Sequence, residues 1–168
     1  MTELAAGLAL MRKLEDVFSR IERERMAGVP ILNPALRVAA TSMKPSGGAW
    51  ICALVTPWFI NLMLLPQTPE LAEAWTRAAA GAKEKRDFPA GTFEFICGVE
   101  EGLGPYRMCS LFSPVLQFES QEAALAAAEA ALAALFDENL AAPQTAGRSL
   151  KETQVSRRNL LFARAQRP

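Results

Sequence analysis

Trp50-Ile51-Cys52-Ala53-Leu54-Val55-Thr56-Pro57-Trp58-Phe59-Ile60-Asn61-Leu62-Met63-Leu64-Leu65-Pro66 decides the reading of the fold. Trp50 to Thr56 is apolar at odd and even positions alike and is bounded by Gly48 and Pro57. A strand covered on both faces, or lying at the centre of a sheet, has that pattern. After the break at Pro57, Trp58 to Leu65 reads as a further strand, closed by Pro66. Working outward, Leu36 to Met43 reads as the strand before this pair, and Lys44-Pro45-Ser46-Gly47-Gly48 as the turn between them.

Upstream, Leu4, Leu8, Met11, Leu14, Phe18 and Ile21 recur at spacings of three and four, one face of a helix over residues 3–25 that Gly28 and Pro30 end. Downstream, Thr68-Pro69-Glu70 is a helix start, with a cap, a proline at the first position and an acid at the positive end of the dipole. That helix is expected to reach about Ala82, with Lys83 to Asp87 as a charged surface connector. Thr92 to Val99 is a strand with Phe93, Phe95 and Cys97 on one face. Gly102 to Pro105 turns the chain into a returning strand, Tyr106 to Phe112. Ser120 caps a last, alanine-rich helix from Gln121 to about Asp137. The order α-β-β-β-α-β-β-α predicts a single α+β domain over residues 1–138, with a largely antiparallel sheet of about five strands. Residues 139–149 read as a linker and 150–168 as a basic and apolar tail.

The 168 residues are 51% hydrophobic and 21% charged, enough to bury a core without disulfides or metals. No histidine is present, which excludes Ser-His-Asp and Cys-His catalysis and histidine metal sites. Cys52, Cys97 and Cys109 form no C-x-x-C pair and suggest neither a zinc site nor a disulfide framework, so a reducing compartment is expected. Eighteen basic residues balance eighteen acidic ones, so nothing draws the whole chain to nucleic acid or to a membrane. From Arg148 onward, however, the tail carries +5 and the body before it −5. The N-terminus lacks the pattern of a secretory signal, and the longest apolar run is too short to span a bilayer. A cytoplasmic protein is expected.

Three features could carry function. Cys109, two residues from Arg107, is either a thiolate able to hold iron or a buried small hydrophobe; Cys52 and Cys97 read as core. The carboxylate pairs Glu100-Glu101 and Asp137-Glu138 fall at turns or helix ends and read as solvated, and no glycine-rich phosphate loop is present. Thr56 to Asn61 is a dense aromatic and proline cluster. If Trp58 and Phe59 lie in a strand they point to opposite faces, so at least one is open to a partner unless helices cover both faces. The tail holds Ser156-Arg157-Arg158-Asn159-Leu160-Leu161-Phe162, an arginine pair before an apolar triplet, which reads as an interaction segment. It matches the twin-arginine export pattern in order, but such signals are N-terminal.

These residues also bring out a resemblance. Leu32-Asn33-Pro34, Trp50 with Thr56-Pro57-Trp58-Phe59-Ile60-Asn61-Leu62, and Pro66 occur in the order seen in the HybE/HupJ family of [NiFe]-hydrogenase assembly proteins, with its HoxT-type members. Pro89-x-Gly91-x-x-x-Phe95, Tyr106-x-x-Cys109-Ser110-Leu111-Phe112-Ser113-Pro114 and Arg157-Arg158-x-Leu160-Leu161-Phe162 continue it. The chain resembles that family from about Leu14 to Arg164, departing at Cys52 and Ala163, where glycine is expected. The resemblance implies a non-enzymatic cytoplasmic chaperone without cofactor or metal. Its partner is implied to be the small-subunit precursor with its twin-arginine signal, with the large subunit and a rubredoxin as further candidates. Partner contact is expected at Pro57, Trp58, Phe59, Asn61, Tyr106, Arg157, Arg158, Leu160, Leu161 and Phe162. The alternative is a factor that protects or assembles a metal centre through Cys109.

Overall fold

The Thr2 hydroxyl accepts a hydrogen bond from the Ala5 amide and starts helix α1, Glu3–Arg25, whose buried face is Gly7, Leu14, Val17, Phe18 and Ile21. In the computed structural model, which describes residues 2–141, this helix covers one face of a seven-stranded antiparallel sheet. The strands are β1 (Ala39–Ala40), β2 (Lys44–Ser46), β3 (Ala49–Val55), β4 (Ile60–Pro66), β5 (Lys83–Phe88), β6 (Gly91–Glu100) and β7 (Gly104–Phe112). Their order is β1-β3-β4-β7-β6-β5, with β2 also on β3. Helices α2 (Pro69–Thr76) and α3 (Gln121–Leu135) lie on the other face, and a short 3-10 turn, Glu138–Leu140, follows.

Every residue of β3 is buried, as its lack of alternation requires: Ile51, Ala53 and Val55 pack with α3 while Trp50, Cys52 and Leu54 pack with α1. The pair β3–β4 runs in unbroken register from Ala49↔Pro66 to Val55↔Ile60. Thr68 and Ser120 cap α2 and α3 as expected. The inner face of α3 is chiefly alanine, with Ala124, Ala128, Ala131 and Ala134 buried beside Leu132 and Leu135. Small side chains let that helix approach the sheet closely.

Five expectations are corrected. The sheet has seven strands among the described residues, two more than expected, because both extra strands are short or charged. The first strand shrinks to Ala39–Ala40, since side chains take over its backbone partners: Arg37 N donates to Gln121 Oε1, Ala40 N to Glu15 Oε1, and Thr41 Oγ1 accepts from Ala53 N. The turn at 44–48 contracts to Gly47 and Gly48, both at positive φ (57° and 81°), and Lys44–Ser46 pairs with β3. Helix α2 ends at Thr76 rather than near Ala82, because Gly81 N and Ala82 O are taken by Cys97 O and Cys97 N of β6. The supposed connector at 83–87 is strand β5, whose Lys83, Lys85 and Asp87 face out while Glu84, Arg86 and Phe88 are partly covered. Charge disguised its two-residue alternation.

Candidate functional site

Thr56 to Phe59 is a tight turn rather than the start of a strand. The Thr56 hydroxyl accepts from the Trp58 and Phe59 amides at 3.2 and 2.9 Å, while Thr56 N donates to Phe59 O at 2.8 Å. Trp58 and Phe59 are therefore free of the strand alternation that would point them to opposite faces. Both rings fold to the α1 side: Trp58 is 9% exposed, Phe59 is half-buried, and their centroids are 5.4 Å apart.

Phe18 of α1 ties this turn to β7. Its ring meets Phe59 edge-on at 5.9 Å and Tyr106 at 6.2 Å. Tyr106 crosses over Gly98, its register partner on β6, where a Cβ would fall 2.6 Å from Tyr106 Oη. Glycine at 98 is thus what lets the ring lie flat against the sheet. Burial raises the Tyr106 hydroxyl pKa, reinforced by the Glu100 charge and opposed by Arg25. Asn61 is buried in the same layer, donating to Met108 Sδ at 3.5 Å, and its Oδ1 has no partner. Pro57 is buried and its carbonyl accepts from Asn33 N at 2.8 Å. The Asn33 amide in turn donates to Val115 O and Phe118 O, so the Leu32-Asn33-Pro34 motif clamps two distant loops.

The structure therefore brings Trp58, Phe59, Asn61 and Tyr106 into one layer beneath α1, with Pro57 buried at its edge and Phe59 alone partly open to solvent. Arg157, Arg158, Leu160, Leu161 and Phe162 lie outside the described residues. Cys109 is 1% exposed on the opposite face of the sheet, paired in register with Leu62 of β4 and packed in the α3-side core. Among the described residues no group of three or more His, Cys, Asp or Glu side chains could hold a metal ion.

A second polar cluster escaped the reading of the sequence. Arg107 is 1% exposed, yet its Nε donates to Glu84 Oε2 at 3.0 Å, Nη1 to Tyr106 O and Nη2 to Trp75 O. Its guanidinium lies 4.6 Å from the centre of the Trp75 ring, and that of Arg86 lies 4.9 Å away. Burial pushes the Glu84 carboxyl pKa up, but the hydrogen bond and charge of Arg107, with the bond from Arg86, hold it below the ordinary range. Cys97 adjoins this cluster, and burial raises its thiol pKa despite the opposing charge of Arg107. The cluster locks β5 and α2 onto β7. Its one signal in the sequence is an arginine inside a largely apolar strand.

A three-layer α+β domain of this kind, helices on both faces of an antiparallel sheet, is shared with the solution structure of HybE from Escherichia coli. The TM-score is 0.56 at 23% identity, over 83% of this chain and 86% of that one. The chain belongs to the family described as "[NiFe]-hydrogenase assembly, chaperone, HybE", whose model matches residues 9–163. It is 37% identical over 148 residues to the hydrogenase expression/formation protein HupJ of Bradyrhizobium diazoefficiens, covering 88% of this chain and 84% of that protein. It is 36% identical over 119 residues to the probable rubredoxin HupJ of Rhodobacter capsulatus, taking in 71% of this chain but 42% of that longer protein. No helix among the described residues is long and apolar enough to cross a membrane.

Proposed function

We propose that this protein is a cytoplasmic, non-enzymatic chaperone that holds the small-subunit precursor of a [NiFe]-hydrogenase, with its twin-arginine signal, until assembly is complete. The observation that carries this reading is the family match to residue 163, which takes in the Arg157-Arg158-x-Leu160-Leu161-Phe162 segment as well as the folded body. In this reading Arg157, Arg158, Leu160, Leu161 and Phe162 touch the client directly. The turn Pro57-Trp58-Phe59 supplies a second contact through the partly open Phe59 ring, with Trp58, Asn61 and Tyr106 supporting it from below. The large subunit and a rubredoxin are further candidate partners.

Co-purification with a signal-bearing small-subunit precursor tests the proposal. The full chain captures the precursor; Arg157→Ala with Arg158→Ala captures at least about tenfold less, as loss of two charged anchors implies, with an unchanged Tm. Absence of capture by the full chain overturns the holding role. A fall in Tm matching the loss of capture overturns the assignment of the arginine pair to client contact.

A further inference from the structure

Leu4 and Leu8, on the first turns of α1, are 75% and 44% exposed. With Gly7, Met11, Met43 and Trp50 they line an apolar groove of about 300 Å³ between α1 and β2, and Glu3 is its one acidic lining residue. Gly7 lies against the groove floor: a Cβ there would make ordinary contacts, 3.5 Å from Met43 and 3.7 Å from the Trp50 ring. Large exposed apolar side chains gathered round a groove mark a surface built to be covered.

The chain itself supplies a cover of matching chemistry. Beyond Ala141, Leu160-Leu161-Phe162 is the single run of three large apolar residues. It follows Arg157-Arg158, in a tail of +5 attached to a body of −5. Eighteen residues, 142–159, can span at most about 60 Å of chain, far beyond the radius of gyration of about 14 Å expected for a body of this size, so the chain length allows the triplet to reach any face. Tethering supplies an effective concentration on the order of millimolar, and charge attraction adds to it.

We propose that Leu160-Leu161-Phe162 seats in the α1–β2 groove of its own chain, with the arginine pair toward Glu3. The groove is then the resting place of the tail, and whatever binds the triplet must first draw it out. This contact is independent of the client proposed above, and its test does not involve that client.

The full-length chain carrying p-benzoylphenylalanine in place of Phe162 is irradiated as a dilute mixture of isotopically light and heavy copies, and its cross-links are mapped. The expected product joins position 162 to residues 3–11 or 43–50 of the same copy. Leu8→Asp, at a partly exposed site, lowers its yield by about tenfold, as a buried leucine contact implies, without lowering the Tm. Cross-links spread elsewhere, or insensitive to Leu8→Asp, overturn the proposal, and so do cross-links formed only between light and heavy copies, which assign the groove to a second copy. In the unlabelled full chain, Leu160→Ser with Leu161→Ser speeds amide exchange in the first turns of α1 several-fold; unchanged exchange also overturns it.

Discussion

Gly98→Ala is expected to destabilise the protein through a single ring. A Cβ at residue 98 would lie 2.6 Å from Tyr106 Oη and 2.7 Å from Cε2, far inside contact distance, on a ring that is 7% exposed and held from above by Phe18. Residue 98 is not at positive φ, so the strand backbone itself accepts alanine and gains about 0.5 kcal/mol from the loss of glycine's freedom. Against that stands the displacement of a packed ring, worth about 1–3 kcal/mol as overpacking. The net cost is about 1.5 kcal/mol, which lowers the Tm by about 5 °C in a domain of this length. A double-mutant cycle separates this from a general strand effect. In the Tyr106→Leu background, which removes the ring, Gly98→Ala is neutral or slightly stabilising, a coupling of about 2 kcal/mol. Thermal and urea unfolding read both arms. A Gly98→Ala protein that melts within about 1 °C of the parent, or additive effects in the cycle, refutes the reasoning.

Glu84→Gln leaves the buried Arg107 without its counter-charge and costs about 2 kcal/mol, less than for a fully buried pair because Glu84 is one-third exposed. Because the folded state holds the Glu84 carboxyl pKa below its ordinary value, that stabilisation is present above the unfolded pKa and is lost as pH falls through the folded one. The Tm of the parent should therefore fall more steeply than that of Glu84→Gln between about pH 5 and pH 3; parallel curves would show that the pair contributes nothing. Cys52, Cys97 and Cys109 are all buried, and burial raises the thiol pKa of Cys52 and Cys97, so iodoacetamide should label none of the three quickly until the protein is unfolded. Rapid labelling of native Cys109, followed by mass spectrometry, would contradict its place in the core and favour the metal-handling alternative.

The candidate site was legible to different depths. Thr56 to Asn61 stood out by composition, and the structure does gather that cluster with Tyr106. What periodicity could not supply was the direction in which the rings point. Trp58 and Phe59 look like the first residues of an apolar strand, yet one threonine hydroxyl accepting two amides converts them into a turn and sends both rings under α1. The charged run at 83–87 failed for the opposite reason. Patterning assumes that the covered face of a strand is apolar, whereas β5 lays Glu84 and Arg86 against the polar cluster formed by Arg107 and Trp75. A covered charge is read correctly only when its partner, distant in sequence, is known.

By itself the sequence determined the elements that local chemistry dictates. These are the amphipathic α1, the threonine and serine caps of α2 and α3, the doubly covered β3 with a strand after it, the β6–β7 hairpin and the absence of histidine chemistry. Through its ordered motifs it also determined the family. Tertiary structure alone decided that the conspicuous aromatics are covered, that Gly98 exists to admit Tyr106, that Arg107 is buried and paired, and that Leu4 and Leu8 are left open along a groove. The division has one physical origin. Periodicity and capping act within a few residues of chain, while burial and charge pairing depend on segments such as 33 with 115, or 84 with 107, that meet only when the sheet has closed.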